Sequence, residues 1–506
     1  MSRALPIMFQ GTHSDVGKSV LTTAFCRIFA QKGWRTAPFK SQNMSLNSYV
    51  TVDGKEIGRA QGIQAEAAGI VATTDMNPIL IKPSRDNEAQ IVVHGKPYKN
   101  MKALDYRGEF FYTGLQLIEQ SLNTLMCTYD RIVIEGAGSP AEVNLNDREL
   151  VNMRVARMAN APVILIGDIE KGGVFASLVG TLQLLEEEDR KRIIGVIINK
   201  FRGDIQLLEP GLQWFEQYTG VPVLGVVPYL QNLNIDMEDS VGLSRYTTSP
   251  NKEKDIDIAV IQYPKISNFT DIDPLTIEPD CHVRFVTKAE QLQQPDLVIL
   301  PGSKNTIEDF LYLKESGLAQ KLKELYEKRQ SFIIGICGGY QMLGYKVSDP
   351  FHMETTIKQV KTLGLLPIWT TITKEKTTVI SEGTLHFAGK TMKVKGYEIH
   401  MGQSELSNKC ESLIEMQHRR EGCKTHDERV IGTYFHDIFH NDEFRETLLN
   451  HLRHQKGLVP INNRISFQTF REEAFNRLAN HVKQYVKIDV IEKKMVEFQQ
   501  RETKQR

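Results

Sequence analysis

An apolar run, Leu5–Gln10, breaks into Gly11-Thr12-His13-Ser14-Asp15-Val16-Gly17-Lys18-Ser19, and no other stretch of the chain narrows its fold as much. The run has strand character. The residues after the glycines have helical spacing, with Val20, Leu21, Ala24, Phe25 and Ile28 on one face. Gly33 is expected to close that helix as a left-handed cap. Strand, glycine loop, Lys-Ser and helix in this order are the context a phosphate-binding loop requires. Backbone around Gly11, Thr12 and Gly17 is expected to hold phosphates, with Lys18 neutralising the outer ones and the Ser19 hydroxyl sitting on Mg2+. Such a loop implies a parallel α/β sheet behind it.

The rest of the chain keeps that rhythm, with short β-branched runs alternating with amphipathic helical stretches. Strands are expected at Leu5–Gln10, Thr36–Lys40, Arg131–Glu135, Pro162–Gly167, Ile193–Asn199 and Val221–Val227. Between Asp239 and Asp255 the chain turns polar and reads as a linker. Strands then resume at Asp257–Tyr263, Val283–Val286, Asp296–Pro301 and Ser331–Ile336. At 506 residues the chain is too long for one ordinary core. The expected division is a first domain over 1–240, a second over 255–450, and a helical, highly charged tail over 457–506. Within the tail, Phe475, Leu478, Ala479, Val482 and Val486 share a helix face that should pack on a domain. The last dozen residues read as a solvated helix or frayed end.

Composition excludes several classes. Lys+Arg and Asp+Glu stand at 62 each, so there is no basic excess of the kind a nucleic-acid partner favours, although a local basic pocket remains open. No apolar run reaches membrane-spanning length, and the first residues turn polar too early for a signal peptide. Six cysteines without a CxxC pair argue against a disulfide framework and a zinc module. Cys26, Cys127, Cys281, Cys410 and Cys423 read as ordinary thiols, and the expected compartment is the cytoplasm.

A phosphate loop needs a carboxylate for its metal, and Glu135 ends the strand Arg131–Glu135 at the edge where parallel sheets bind ligands. Gly136-Ala137-Gly138-Ser139 then turns away from it. Asp168 ends another strand and is expected to face the same cleft. Asn199 ends a third and is the candidate for contacting the base. A guanine-reading NKxD would need Asp where Arg202 stands, so the expected nucleotide is ATP.

In the second half, Gly335-Ile336-Cys337-Gly338-Gly339-Tyr340-Gln341 follows an apolar strand and opens a helix, the layout of a nucleophile elbow with Cys in place of Ser. The sharp turn exposes the sulfur, the helix start favours thiolate, and the Gly338 N–H is positioned to hold an oxyanion. Gly302, in Leu300-Pro301-Gly302-Ser303-Lys304-Asn305-Thr306, is a candidate for the second wall of that hole. A base is required, and His436 in Gly432-Thr433-Tyr434-Phe435-His436-Asp437 is the candidate; His400 and His440 compete, the latter reading as a helix-surface residue.

The phosphate loop, with five residues rather than four between its glycines, resembles that of dethiobiotin synthetase and its relatives. The order Cys337 then His436 is similar to class I glutamine amidotransferases. Those usually carry Glu two positions after the His, where Ile438 stands here, and the cobalamin-type branch resembles this chain in working with a Cys-His pair. The combination resembles the cobyric and cobyrinic acid synthases. Within that group Phe39-Lys40-Ser41-Gln42-Asn43-Met44-Ser45, Met76-Asn77-Pro78-Ile79-Leu80-Ile81-Lys82-Pro83, Glu135-Gly136-Ala137-Gly138-Ser139-Pro140-Ala141-Glu142, Asp168-Ile169-Glu170-Lys171-Gly172-Gly173-Val174-Phe175 and Asn199-Lys200-Phe201-Arg202-Gly203-Asp204 are similar to cobyric acid synthase signatures.

The resemblance implies a two-domain α/β fold, a P-loop NTPase-type parallel sheet followed by a class I glutamine-amidotransferase-like domain. It also implies ATP, Mg2+ and glutamine, and a corrinoid substrate, cobyrinic acid a,c-diamide, whose b, d, e and g carboxylates become amides. Lys40 and Lys82 are then expected to neutralise charge during phosphoryl transfer, and Gln42 and Asn43 to hold corrinoid amides or phosphate. Asp147 contacts the substrate, deprotonates ammonia, or is simply solvated. Two alternatives stand beside this reading: an enzyme of the same plan acting on the a and c carboxylates, and a partitioning-type ATPase switch. The absence of lysine early in the loop disfavours the switch. The sequence assigns no group to orient His436 and leaves the oligomeric state open.

Overall fold

The computed structural model describes residues 4–505 apart from 86, 232, 234, 236–242, 244–245 and 408–409, so the expected 239–255 linker lies partly outside the described residues. The chain forms two compact units, each discontinuous in sequence. The first contains Met1–Ser45, Glu56–Ile235 and Arg471–Arg506; the second contains Leu46–Lys55 and Asp236–Phe470.

The first unit is organised by a six-stranded sheet in the order Val223–Pro228, Ile193–Phe201, Val163–Asp168, Leu5–Gly11, Arg131–Glu135, Thr36–Phe39. Every pairing is parallel. Strands buried on both faces read as continuous apolar runs, which is why their sequences announce them. One consequence decides the chemistry: Gly11, Glu135, Asp168 and Asn199 all fall at the C-terminal ends of their strands and therefore along one edge. A second sheet, Gln42–Met44, Ile79–Arg85, Glu88–Val93 and Lys96–Lys102, was not foreseen; its apolar runs, Ile79-Leu80-Ile81 and Ile91-Val92-Val93, are only three residues long and the other two strands are short or polar.

The C-terminal helices complete this unit's core. Leu478, Ala479, Val482 and Val486 pack with Phe25, Phe29, Ile164 and Ile197, as their spacing requires. The expectation of a solvated helix or frayed end is corrected in part. The residues up to Gln505 form a helix, Ile488–Gln505, but its Met495 and Phe498 are buried in the same core with Ile491. Apolar residues at 491, 495 and 498 follow the i, i+4, i+7 pattern, which the surrounding charge concealed.

The second unit holds another six-stranded sheet, ordered Cys281–Val286, Ile256–Ile261, Leu297–Leu300, Phe332–Ile336, Val430–Thr433, Cys423–Lys424. All neighbours are parallel except the final edge strand. A long antiparallel hairpin, Ile368–Phe387 with Lys390–Leu406, belongs to a separate sheet.

Cys410 and Cys423 are joined by a disulfide, which corrects their reading as separate thiols. Antiparallel bridging of Glu411 with Lys424 brings the two cysteines together, and a spacing of 13 residues gives no hint of it. Cys26, Cys127, Cys281 and Cys337 are free. Among the described residues no helix is long and apolar enough to cross a membrane.

Candidate functional site

In the first unit the loop from Gly11 to Lys18 joins strand to helix through Gly17 at φ 96°. A side chain at Gly17 would also meet the Asn199 amide nitrogen at 2.2 Å, so both conformation and contact demand glycine. Asn199 Nδ2 donates to the Val16 carbonyl at 2.8 Å, which braces the loop from the neighbouring strand end. Lys18 is buried with its ammonium directed inside the loop, donating to the carbonyls of His13 at 2.9 Å and Gly138 at 3.2 Å.

Glu135 is fully buried and shared among three donors. Its Oε1 accepts from Ser19 Oγ at 2.8 Å and Lys40 Nζ at 2.9 Å, and its Oε2 from Gln64 Nε2 at 2.6 Å. Burial alone would raise its pKa, but Lys40, Gln64 and Ser19 hold the carboxyl below the usual range, so it is ionised. Gln64 was not anticipated; it lies on the helix Arg59–Ala67, outside any motif that sequence reading singled out. Lys200 pairs with Asp168 at 2.8 Å; burial opposes ionisation of Asp168, yet Lys200 and the Glu170 amide keep it charged. Thr12 Oγ1 is buried and lacks a hydrogen-bond partner.

The remaining candidates of this unit are dispersed. Asn43 Nδ2 donates to Gln61 Oε1 at 3.1 Å, and Gln42 accepts from the Tyr106 hydroxyl at 2.6 Å. Lys82 pairs with Glu56 at 2.9 Å in a fully buried ion pair. Asp147 sits on an exposed turn, its carboxylate held by Arg107 at 2.7 Å.

In the second unit Cys337 stands between the strand Phe332–Ile336 and the helix Gly338–Leu343 at φ 52°, ψ −107°. A non-glycine residue at positive φ stores strain that its surroundings must hold. Here the Cys337 N–H bonds the Thr433 carbonyl at 2.9 Å and the Gly339 N–H bonds Pro301 at 3.0 Å. The Leu300–Ser303 segment crosses so closely that a Cβ at Gly338 would lie 2.7 Å from the Ser303 nitrogen. Gly302 lies on the other side of the same crossing, where its Cβ would stand 3.3 Å from His436 Cε1. Gly302, Gly338, Cys337 and His436 therefore converge. Below them Ser303 Oγ donates to Asp309 at 2.5 Å, and Glu354 accepts from the Thr306 N–H at 2.8 Å. Burial pushes both carboxyls up to about 7.

His436 is fully buried, and its ring is fixed on two sides. Tyr397 stacks on it at 4.9 Å with an interplanar angle of 15°. Its Nδ1 lies 2.7 Å from Asp271 Oδ2, and Asp271 Oδ1 accepts from the Asp437 N–H at 2.8 Å. Although burial disfavours the imidazolium, the Asp271 carboxylate and the adjacent Cys337 sulfur together push its pKa up to about 10. Nε2 has no hydrogen-bond partner. A thiol, an imidazole beside it and a carboxylate behind the imidazole form the nucleophile–base–orienter arrangement. Asp271 stands where an orienter would, holding the ring nitrogen that Ile438 could not.

The competing histidines are disposed otherwise. His400 stacks on Tyr434 at 3.8 Å, and His440 is half-buried against Phe467 on a short 3-10 turn rather than on a helix surface.

Two family models match the chain. Residues 7–241 match the model of the CobQ/CobB/MinD/ParA nucleotide binding domain, and residues 257–444 that of the CobB/CobQ-like glutamine amidotransferase domain. The chain is 71% identical over 502 residues to the cobyric acid synthase of Geobacillus sp. (strain WCH70), covering 99% of this chain and 100% of that protein. It is 68% identical to the cobyric acid synthase of Anoxybacillus flavithermus (strain DSM 21510 / WK1), over 99% of both. It is 48% identical to that of Thermoanaerobacter sp. (strain X514), over 98% of this chain and 99% of the other.

Proposed function

We propose, from the premise that the chain belongs to the family of cobyric acid synthases, that its two units carry the two halves of one glutamine-dependent amidation. The chain is an ATP-dependent, glutamine-hydrolysing carbon–nitrogen ligase of cobalamin biosynthesis. Its substrate is the corrinoid (adenosyl)cobyrinic acid a,c-diamide. Carboxylates b, d, e and g become amides, each with one ATP and one ammonia taken from glutamine. The Cys337–His436–Asp271 array is the observation that carries the reading, because a phosphate loop alone is common to switches and enzymes.

Glutamine is attacked at its amide carbon by the Cys337 thiolate. The resulting oxyanion is held by backbone N–H groups at Gly338 and Gly302, and His436 protonates the departing nitrogen through Nε2. Ammonia leaves and a γ-glutamyl thioester remains. Water, deprotonated by His436, then releases glutamate and restores the thiol. Asp271 keeps Nδ1 protonated and the ring oriented throughout.

A carboxylate ion is a poor electrophile, so the acid must first become an acyl phosphate. The corrinoid carboxylate attacks the terminal phosphorus of ATP, ADP departs, and ammonia then displaces inorganic phosphate to leave the amide. Lys18 and backbone from Gly11 to Gly17 hold the phosphates, Lys40 offsets charge beside Glu135, and Lys82, paired with Glu56, is assigned to charge that develops during transfer. Asn199 supports the loop and borders the base. Mg2+ fits this pocket: Ser19 Oγ and the ionised Glu135 are hard oxygen donors 2.8 Å apart, the usual pair beside nucleotide phosphates. Bound there it would neutralise phosphate charge. Gln42, Asn43 and Asp147 are assigned to the corrinoid. The cytoplasm, where ATP and glutamine are abundant, is the assigned compartment.

Mass spectrometry tests the assignment directly. With the a,c-diamide, ATP and glutamine, the product should gain four amides and consume four ATP. An enzyme that instead amidates unmodified cobyrinic acid twice and ignores the diamide would be the same-plan alternative.

A further inference from the structure

Glu398 lies in the second unit, fully buried, yet one of its two oxygens receives no hydrogen bond. Oε1 accepts from Ser381 Oγ at 2.5 Å and from the Arg419 guanidinium. Oε2 faces the His400 ring, whose Nε2 stands 3.5 Å away and also lacks a hydrogen-bond partner. That gap exceeds the length of a charge-assisted hydrogen bond. The proton on His400 can be located by elimination. Nδ1 lies 2.7 Å from the Gly402 carbonyl oxygen, a group that only accepts, so Nδ1 donates. In a neutral ring Nε2 is then an acceptor. With the ring in that form two buried acceptors face each other, an arrangement that costs stability until a donor with several hydrogens enters.

The position of this pair relates it to the nucleophile. Ile399, between Glu398 and His400, has its carbonyl oxygen 3.6 Å from Cys337 Sγ. Tyr397, on the other side of Glu398, stacks on His436 and bonds the His436 N–H through its carbonyl at 2.8 Å. His400 stacks on Tyr434, whose hydroxyl meets Ser404 at 2.7 Å and Gln341 at 3.4 Å. Glu398 and His400 flank Ile399 on this strand, so each lies about 3.3 Å along the chain from the residue whose carbonyl meets the sulfur. In glutamine about 5 Å of covalent chain separates the amide carbon from the α-nitrogen.

We propose that Glu398 and His400 recognise the α-ammonium group of glutamine, with Arg419 beside them taking its α-carboxylate. A primary ammonium has three hydrogens and satisfies both open acceptors at once. The adjacent Glu398 and Arg419 charges mirror the zwitterion of a free α-amino acid. A free amino acid is thereby chosen over the glutamine side chains of proteins. The inference rests on Cys337 being the nucleophile.

The test compares glutamine with glutaramate, which keeps the amide and the carboxylate but lacks the α-amino group. The parent protein should prefer glutamine by about 100-fold or more in kcat/KM, mainly through KM. In Glu398→Gln the value for glutamine should fall by about 100-fold while that for glutaramate stays within about three-fold, so the preference collapses. Glu398→Asp should recover part of it. A parent that uses glutaramate as well as glutamine overturns the proposal, and that comparison needs no variant to fold. Equal loss on both substrates in Glu398→Gln also overturns it and assigns the pair to a closed imidazolium–carboxylate contact. Cys337→Ala separates the two levels. If it still hydrolyses glutamine, the nucleophile reading fails; if it is inactive and the preference survives Glu398→Gln, this inference fails alone.

Discussion

His436 Nδ1 lies 2.7 Å from Asp271 Oδ2, joining residues 165 positions apart in the chain. The contact gives the proposed Cys337–His436 pair a third member, where the usual sequence position holds Ile438. It also sets the charge of the imidazole, since Asp271 opposes the effect of burial and carries the pKa up to about 10. Asp271→Asn should lower glutamine-dependent turnover by about 10²–10⁴-fold, because the ring loses both its tautomer and its orientation.

The same variant should change the pH profile. The imidazolium that protonates departing ammonia is present below the folded pKa and is lost as pH rises through it. The alkaline limb of glutamine-dependent activity in the parent should therefore lie near 10, and in Asp271→Asn it should move to lower pH. The ion pair's contribution to stability has the same sign: complete below the ordinary imidazole value, and lost as pH climbs through about 10. An unmoved alkaline limb would assign Asp271 to packing alone.

The two units should separate by nitrogen source. Cys337→Ala should lose glutamine-dependent amidation by about 10⁴-fold or more, while ammonium salts should support product formation. Lys18→Ala should fail with either source, because acyl phosphate formation precedes use of any ammonia. Assays with glutamine and with ammonium, run side by side on both variants, check this pattern.

Much of the first unit was legible because its strands are buried on both faces and run out into Gly11, Glu135 and Asn199, with Gly17 and Lys18 opening the helix after the first. Cys337 was legible because its elbow is a local pattern. Asp271 was not. It lies in Asn268-Phe269-Thr270-Asp271-Ile272-Asp273, and nothing local distinguishes it from Asp273; only the fold turns Asp271 toward His436. Gln64 escaped notice for a similar reason, being one polar residue on a helix. The long hairpin after Ile368 alternates polar and apolar residues but ends in no turn signature beyond Gly389, so its pairing was missed. The final helix was masked by charge, with Ile491, Met495 and Phe498 spread among Lys, Glu and Gln.

That last correction carries its own prediction. Phe498 is 2% exposed and packs in the core of the first unit, so Phe498→Ala should destabilise that unit by about 3–5 kcal/mol in urea unfolding. A frayed tail would show no change.

Supplying [amide-15N]glutamine together with unlabelled ammonium at low concentration, and weighing the corrinoid product, tests the union of the two sites most directly. The account predicts four new amides, all bearing the heavy isotope, in an ATP-dependent reaction. A product whose new amides carry light nitrogen, or a diamide returned unchanged while glutamine is consumed, would contradict it.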